Sequence, residues 1–166
     1  MLKLIVLDAD RTIWSHHDAS SLIPPFKRIN DNLIIDKYGS RVELNHGLRD
    51  FLEHFINLGI YFSISSWNFP ENVFELLELF NILKYFSYPV VEPSPNKGLM
   101  IKRIVENFKK ANVIIFPEEI LYIDDRDIHL YEVKRFVGPV NFLRYGFDVV
   151  NWVDAIGKVE GLISKT

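Results

Sequence analysis

The chain has 166 residues, 48% hydrophobic and 25% charged, with a formal net charge of −3. This length suits one domain with a full core, and the charge balance offers no basic footprint for nucleic acid and no polybasic surface for a membrane. Cysteine is absent, which excludes disulfides, thiolate metal sites and a cysteine nucleophile.

The N-terminus reads MLKLIVLDADRT. Its apolar run predicts a buried strand over residues 3–8 that stops at Asp8, with Asp10 and Thr12 following at spacings of two. Paired carboxylates at the exit of an apolar strand are costly, because like charges repel and burial disfavours ionisation. Residues 13–45 are irregular and polar. Within them, 32–35 and 41–44 flank Asp36-Lys37-Tyr38-Gly39 and predict a β-hairpin, with Gly39 at positive φ. An insertion of this length after a motif-bearing strand reads as a functional flap.

Residues 47–58 carry Leu48, Phe51, Leu52, Phe55 and Ile56 at helical spacing, and Gly59 marks a stop. A second buried strand follows over 60–66. Asn68 is placed to cap the next helix, with Pro70 in its first turn and Glu71 at its third position, the helix running through Phe80. A short strand over 88–91 precedes a helix over 97–110, with Leu99, Ile101, Ile104, Val105 and Phe108 inward. A fourth strand over 120–123 ends in Asp124-Asp125. A helix over 127–136, a strand over 140–143 and a helix over 149–163 complete the series. Strands alternating with helices predict an α/β fold: a three-layer parallel sheet in a single domain over 1–166, with a small flap at about 13–45 and no large cap.

In such sheets, ligands bind outside the carboxyl ends of the strands, where the strand order reverses. Asp8, Asp10 and Thr12, then Ser66, then Lys97, then Asp124 and Asp125 all fall at or near such ends. Taken singly, each has an ordinary reading as a turn residue, a surface lysine or a dipole-complementing pair. Together they supply phosphoryl-transfer chemistry. Converging carboxylates call for a hard divalent cation, and Mg2+ takes few protein carboxylates and keeps waters. One aspartate can act as a covalent nucleophile, and a second can protonate the leaving oxygen and then activate water. A hydroxyl and an ammonium can stabilise the non-bridging oxygens.

These motifs, in this order, resemble those of the haloacid dehalogenase superfamily of aspartate-nucleophile phosphatases. Leu7-Asp8-Ala9-Asp10-Arg11-Thr12-Ile13-Trp14, Pro24-Pro25-Phe26 and Leu76-Leu77-Glu78-Leu79-Phe80 with Tyr85-Phe86 make the chain most similar to its magnesium-dependent phosphatase 1 family. The resemblance implies that Asp8 is the nucleophile and Asp10 the general acid/base. It implies that Asp8, the Asp10 carbonyl and one of Asp124 and Asp125 hold Mg2+, with Asp125 favoured as direct ligand and Asp124 as its support. Ser66 and Lys97 match the second and third motifs and would bind phosphate. Where the family tends to carry arginine after the motif-two serine, this chain has Trp67, whose backbone N–H remains available to phosphate. After the acidic pair, Asp127 and His129 stand where the family usually has an asparagine.

The expected substrate is a phosphotyrosine protein or a phosphosugar at an open site, in a cytoplasmic monomer or weak dimer without nucleic-acid or membrane partners. The competing readings are a phosphotransferase or dehalogenase of the same type, and a receiver-like phospho-aspartate module. Asp10 favours phosphate over halide, because a leaving oxygen needs a proton. A receiver would place its aspartate on the third strand, which here ends near Val91-Glu92. Adjacent His16 and His17 are expected to point apart. Trp14 either lines the pocket mouth or anchors the flap. Arg126 and His129 read as an exposed helix face.

Overall fold

The apolar run after Met1 forms β1 (Leu4–Leu7), with all four residues buried. It is followed by β2 (Lys27–Asn30), β3 (Leu33–Ile35), β4 (Arg41–Glu43), α1 (Leu48–Asn57), β5 (Tyr61–Trp67), α2 (Pro70–Leu79) and β6 (Val90–Glu92). The remainder is α3 (Lys97–Lys110), β7 (Ile120–Asp124), α4 (Leu130–Phe136), β8 (Asn141–Arg144) and α5 (Trp152–Ser164). The computed structural model describes residues 1–165. Among them, no helix is long and apolar enough to cross a membrane.

Five strands form a parallel sheet in the order β6-β5-β1-β7-β8. The central strand pairs Leu4 with Tyr61 on one side and with Ile120 on the other. Both faces of β1 are covered, which is why it reads as a continuous apolar run rather than an alternating one. Alternation still divides its side chains. Ile5 and Leu7 join Phe51, Phe55, Leu76 and Trp152 of the larger core, while Leu4 and Val6 pack with Ile101, Ile104 and Phe108 of α3 and Val133 of α4. Removing a fully buried Leu or Ile from such a layer costs about 2–5 kcal/mol.

The helix α3 lies hard against α4. A Cβ at Gly98 would collide with the carbonyl oxygen of Glu132, so only glycine lets the first turn of α3 come this close. The preceding residue, Lys97, owes its placement to that contact.

The predicted hairpin is present as β3 and β4, with Gly39 at φ 85° in the turn. A third strand, β2, extends it into an antiparallel sheet. All four β2 residues are exposed, so no hydrophobic alternation announced the strand. Asp36 holds the turn: its carboxylate accepts from the backbone N–H groups of Ile23 at 3.0 Å and of Tyr38 and Ser40 at 2.9 Å.

Several local expectations shift. The N-cap of α2 is Phe69, not Asn68, which puts Pro70 at the first helical position and Glu71 at the second. Residues 127–129 form a turn before α4, and His129 is buried. The last helix starts at Trp152, where the Asn151 side chain accepts from the Asp154 N–H at 2.8 Å. Leu99 and Tyr61, expected in the core, are 42% and 41% exposed, and Met100 takes the inward position in α3. The Tyr61 ring instead lies along Phe108, with centroids 5.0 Å apart.

The backbone bonds from Ile23, Ser40 and Tyr38 lower the Asp36 pKa against the opposing effect of burial. A lowered folded-state pKa stabilises the fold above the unfolded value of about 3.9 and is lost as pH falls through the folded value. We therefore predict that Asp36→Asn lowers Tm by at least about 3 °C at pH 7, and that the difference from wild type shrinks below about pH 4. Thermal melts across that range measure it.

Candidate active site

From β1 the chain moves outward to β5 and β6, then crosses back to β7 and β8 on the other side. The segments leaving β1 and β7 therefore diverge and open a crevice at the carboxyl ends of these strands. Asp8 directly follows β1, Asp124 ends β7, and Asp125 comes next. Carboxylate oxygens of these three residues lie within 4.8 Å of one another.

A buried cation holds two of them. Lys97 Nζ lies 2.5 Å from Asp8 Oδ1 and 2.8 Å from Asp124 Oδ2, and its side chain is 1% exposed. The Tyr122 hydroxyl, on the same face of β7, also donates to Asp124 Oδ2. The Arg126 N–H donates to Asp124 Oδ1 at 3.0 Å. Thr12 links the two strand ends: its hydroxyl donates to Asp8 Oδ2 at 3.2 Å and accepts from the Asp125 N–H at 3.1 Å.

The electrostatics follow from burial set against this one ammonium. Desolvation pushes the Asp8 carboxyl well above its usual value, the Lys97 charge opposes that, and Asp124 and Asp125 add to it. Desolvation also raises Asp125, with Asp124 contributing. For Asp124, burial acts upward, yet Lys97 and the Tyr122 and Arg126 donors bring it down to about 2. Burial acts to lower Lys97, but the two carboxylates outweigh it and raise its pKa. Burial pushes the Tyr122 hydroxyl well up, with the Asp124 charge adding to it, so it stays a donor.

Asp10 is held apart from this ion pair by neutral donors. Its Oδ1 accepts from the Trp14 indole N–H at 2.9 Å and the Ala19 N–H at 3.0 Å. Its Oδ2 accepts from the Asn68 amide at 2.8 Å, and the same amide nitrogen lies 3.1 Å from Ser66 Oγ. Trp14 is fully buried, so of its two sequence readings the anchoring one stands.

A cavity of about 280 Å³ brings together Asp8, Asp10, Trp67, Lys97 and Asp125, with Arg11, His17 and Arg126 also lining it. Asp124 is fully buried behind this wall and Ser66 lies behind Asn68, each 1% exposed or less. Trp67 is 49% exposed and Arg126 is exposed; Arg126 is a cavity residue rather than plain helix surface. An adjoining cavity of about 430 Å³ shares Asp10, His17, Trp67 and Arg126 with the first and adds Asp18, Ser20, Asn68, Phe69 and Pro93. No residue of β2, β3 or β4 lines either cavity. The expected covering role thus falls to the turn after β1, not to the hairpin. His16 and His17 do not point apart: their rings stack with centroids 4.8 Å apart. His16 Nδ1 accepts from the Asp18 N–H at 3.0 Å, and only His17 lines the cavities.

Two residues of the site carried readable signals that a reading of single roles passed over. Asn68 lies two residues beyond Ser66 at a strand exit, and Tyr122 two before Asp124 within a strand; a period of two puts each pair on one face. Removing the shared cation leaves two buried carboxylates facing each other. We predict that Lys97→Met destabilises the fold by about 3–5 kcal/mol at pH 7 in metal-free buffer, measured as a lower urea midpoint at an unchanged slope.

Comparison with known proteins agrees with this geometry. Human magnesium-dependent phosphatase 1 is 29% identical over 125 residues, covering 75% of this chain and 68% of that protein. A HAD-superfamily hydrolase structure from Ehrlichia chaffeensis superposes with a TM-score of 0.68 at 13% identity, covering 98% of this chain and 99% of the other. The N-terminal part of a Bacteroides fragilis protein, containing a phosphatase domain complexed with Mg, gives 0.60 at 20% identity, over 86% of this chain and 36% of that one. These structures share the parallel sheet and flanking helices found here. The Acid Phosphatase family profile matches residues 1–158, and the chain accordingly belongs to the acid phosphatase family, a phosphatase on a haloacid-dehalogenase-like fold.

Proposed function

We propose that this chain is a Mg2+-dependent phosphomonoester hydrolase that works through an aspartyl-phosphate on Asp8, with Asp10 as general acid and base. The observation that carries this reading is the contrast between two carboxylates on one cavity wall. Asp8 is bound to an ammonium at 2.5 Å, and Asp10 is fixed by neutral donors alone.

The donor set fits a hard divalent ion. Three carboxylates crowd within 4.8 Å, all donors are oxygen, and Lys97 is the sole cation within hydrogen-bond reach of them among the described residues. Asp8, Asp125 and the backbone carbonyl of Asp10 would hold Mg2+. Both Lys97 and Tyr122 occupy Asp124 Oδ2, which suits Asp124 to a supporting place and Asp125 to direct ligation. When bound, the ion supplies positive charge that lets an anionic phosphoryl group approach the anionic Asp8.

In the first step an Asp8 carboxylate oxygen attacks phosphorus and the ester P–O bond breaks. The leaving oxygen takes the proton carried by Asp10. In the second step Asp10, now a carboxylate, takes a proton from water as the water oxygen attacks phosphorus. The Asp8–phosphorus bond breaks, releasing inorganic phosphate and restoring both carboxyl groups to their starting states. Lys97 neutralises charge on the phosphoryl oxygens and on Asp8. Ser66 and the Trp67 backbone N–H complete the phosphate-binding set.

The substrate class we assign is a phosphotyrosine protein or a phosphosugar. The adjoining cavity of about 430 Å³ offers Trp67, Phe69 and Pro93, apolar faces against which an aromatic or a sugar ring can pack. Among the described residues this cavity is open to solvent, which admits a bulky phosphoester.

Hydrolysis of p-nitrophenyl phosphate tests the reaction. Chelation should abolish turnover and Mg2+ restore it, and Asp8→Asn should lower kcat/KM at least about 1000-fold. Turnover that survives in Asp8→Asn would overturn the nucleophile. Trp67→Arg, which supplies a bidentate phosphate donor, should lower KM for the same ester about three- to tenfold; an unchanged KM would show that the side chain at position 67 does not reach the phosphate.

A further inference from the structure

The Asp10 carboxylate has an uneven set of partners. Oδ1 accepts two hydrogen bonds, from Trp14 and Ala19, and so both its lone pairs are engaged. Oδ2 accepts one, from the Asn68 amide at 2.8 Å. One lone pair on the whole carboxylate is thus left to carry a transferable proton, and it belongs to Oδ2.

Asn68 sets where that lone pair points. Its side chain is 3% exposed and joined at both ends. The nitrogen donates to Asp10 Oδ2 and lies 3.1 Å from Ser66 Oγ, and the oxygen accepts from the Ser20 hydroxyl. The partners set this orientation: the amide NH2 faces Asp10 Oδ2, and the amide oxygen faces the Ser20 hydroxyl. Ser20 is itself fixed, because its Oγ accepts from the Phe69 N–H at 3.0 Å. In addition, the Asn72 amide donates to the carbonyls of Ala19 and Leu22 at 2.8 and 3.0 Å, tying the Ser20 turn to α2.

We infer that Asn68 is a positioning residue for the general acid: with Ser20 behind it, it aims the proton-bearing Oδ2 of Asp10 and keeps it registered to Ser66. This rests on the aspartyl-phosphate reading above. In the step concerned, the Asp10 Oδ2–H bond breaks as the P–O bond breaks, and the proton passes to the leaving oxygen. Asn68 transfers nothing itself.

Leaving-group dependence tests it. An alkyl phosphate such as β-glycerophosphate needs a proton on its departing oxygen, while p-nitrophenolate leaves without one. The quantity to compare is kcat/KM, which reports phosphoryl transfer to Asp8 and excludes later hydrolysis of the intermediate. Asn68→Ala should lower kcat/KM for β-glycerophosphate about 30- to 100-fold, within the range a general acid supplies, and that for p-nitrophenyl phosphate less than about threefold. Ser20→Ala should shift the same ratio in the same direction by a smaller factor, and it carries the test alone if Asn68→Ala does not fold. A loss shared equally by both esters, as a merely structural defect would give, overturns the inference, as does an unchanged ratio. Asp10→Asn separates the two levels. If it spares p-nitrophenyl phosphate selectively and Asn68→Ala and Ser20→Ala do not, the positioning role fails and the acid stands. If it shows no selectivity, the acid assignment fails and the inference with it.

Discussion

Lys97 stands between Asp8 and Asp124 with almost no access to water, and much of the fold is arranged around that fact. Removing a carboxylate or an ammonium from water costs several kcal/mol, offset only where opposite charge and remaining donors are well placed. The ends of β1 and β7 must therefore be adjacent, which the sheet order provides. The first turn of α3 must lie close enough for a lysine to reach both, which the Gly98 contact with α4 provides. Tyr122 and the Arg126 N–H satisfy Asp124, and Thr12 satisfies Asp8. Three carboxylates against one ammonium still leave an excess of negative charge in the crevice, which is the physical basis for a divalent cation there.

Two aspartates separated by one residue end up in unlike surroundings. The chain turns sharply after Asp8, with Arg11 at φ 58° and the N–H groups of Thr12 and Ile13 bonded to the Ala9 carbonyl at 3.1 and 2.9 Å. That turn leaves Asp8 facing Lys97 and sends Asp10 toward Trp14, Ala19 and Asn68. Asp8 thus meets an ammonium and two further carboxylates, whereas Asp10 meets only N–H donors among the described residues. Identical residue types can take opposite roles because the backbone gives them different neighbours.

The parts of the fold that were legible in the sequence are those where burial repeats with a clear period. The run through Leu4–Leu7, the helical stripe of Leu48, Phe51, Leu52 and Phe55, and the acidic ends of β1 and β7 all fall in this class. The site motifs were legible as well, since carboxylates at the ends of apolar strands contradict their surroundings. Less legible was whatever depends on a partner far along the chain. The segment Lys27–Asn30 illustrates this: β2 exposes every side chain and pairs with β3. Asn68 looked like a helix cap because local rules favour that use, yet its amide oxygen accepts from the Ser20 hydroxyl, 48 positions away, and its nitrogen donates to Asp10, while the N-cap place falls to Phe69. His129 read as part of an exposed helix face, whereas it stands at the N-cap of α4 and is buried.

The carbonyl of Thr12 accepts the Trp152 indole N–H at 3.0 Å and the Asn45 amide at 2.8 Å, both at the base of the turn that carries Asp8 and Asp10. One of those donors lies 140 positions downstream. The acidic turn is therefore anchored from two remote stretches of chain that converge on a single oxygen atom. A change in how α5 packs is felt at Asp8 and Asp10 through that oxygen, although no residue of α5 lines the cavity beside them.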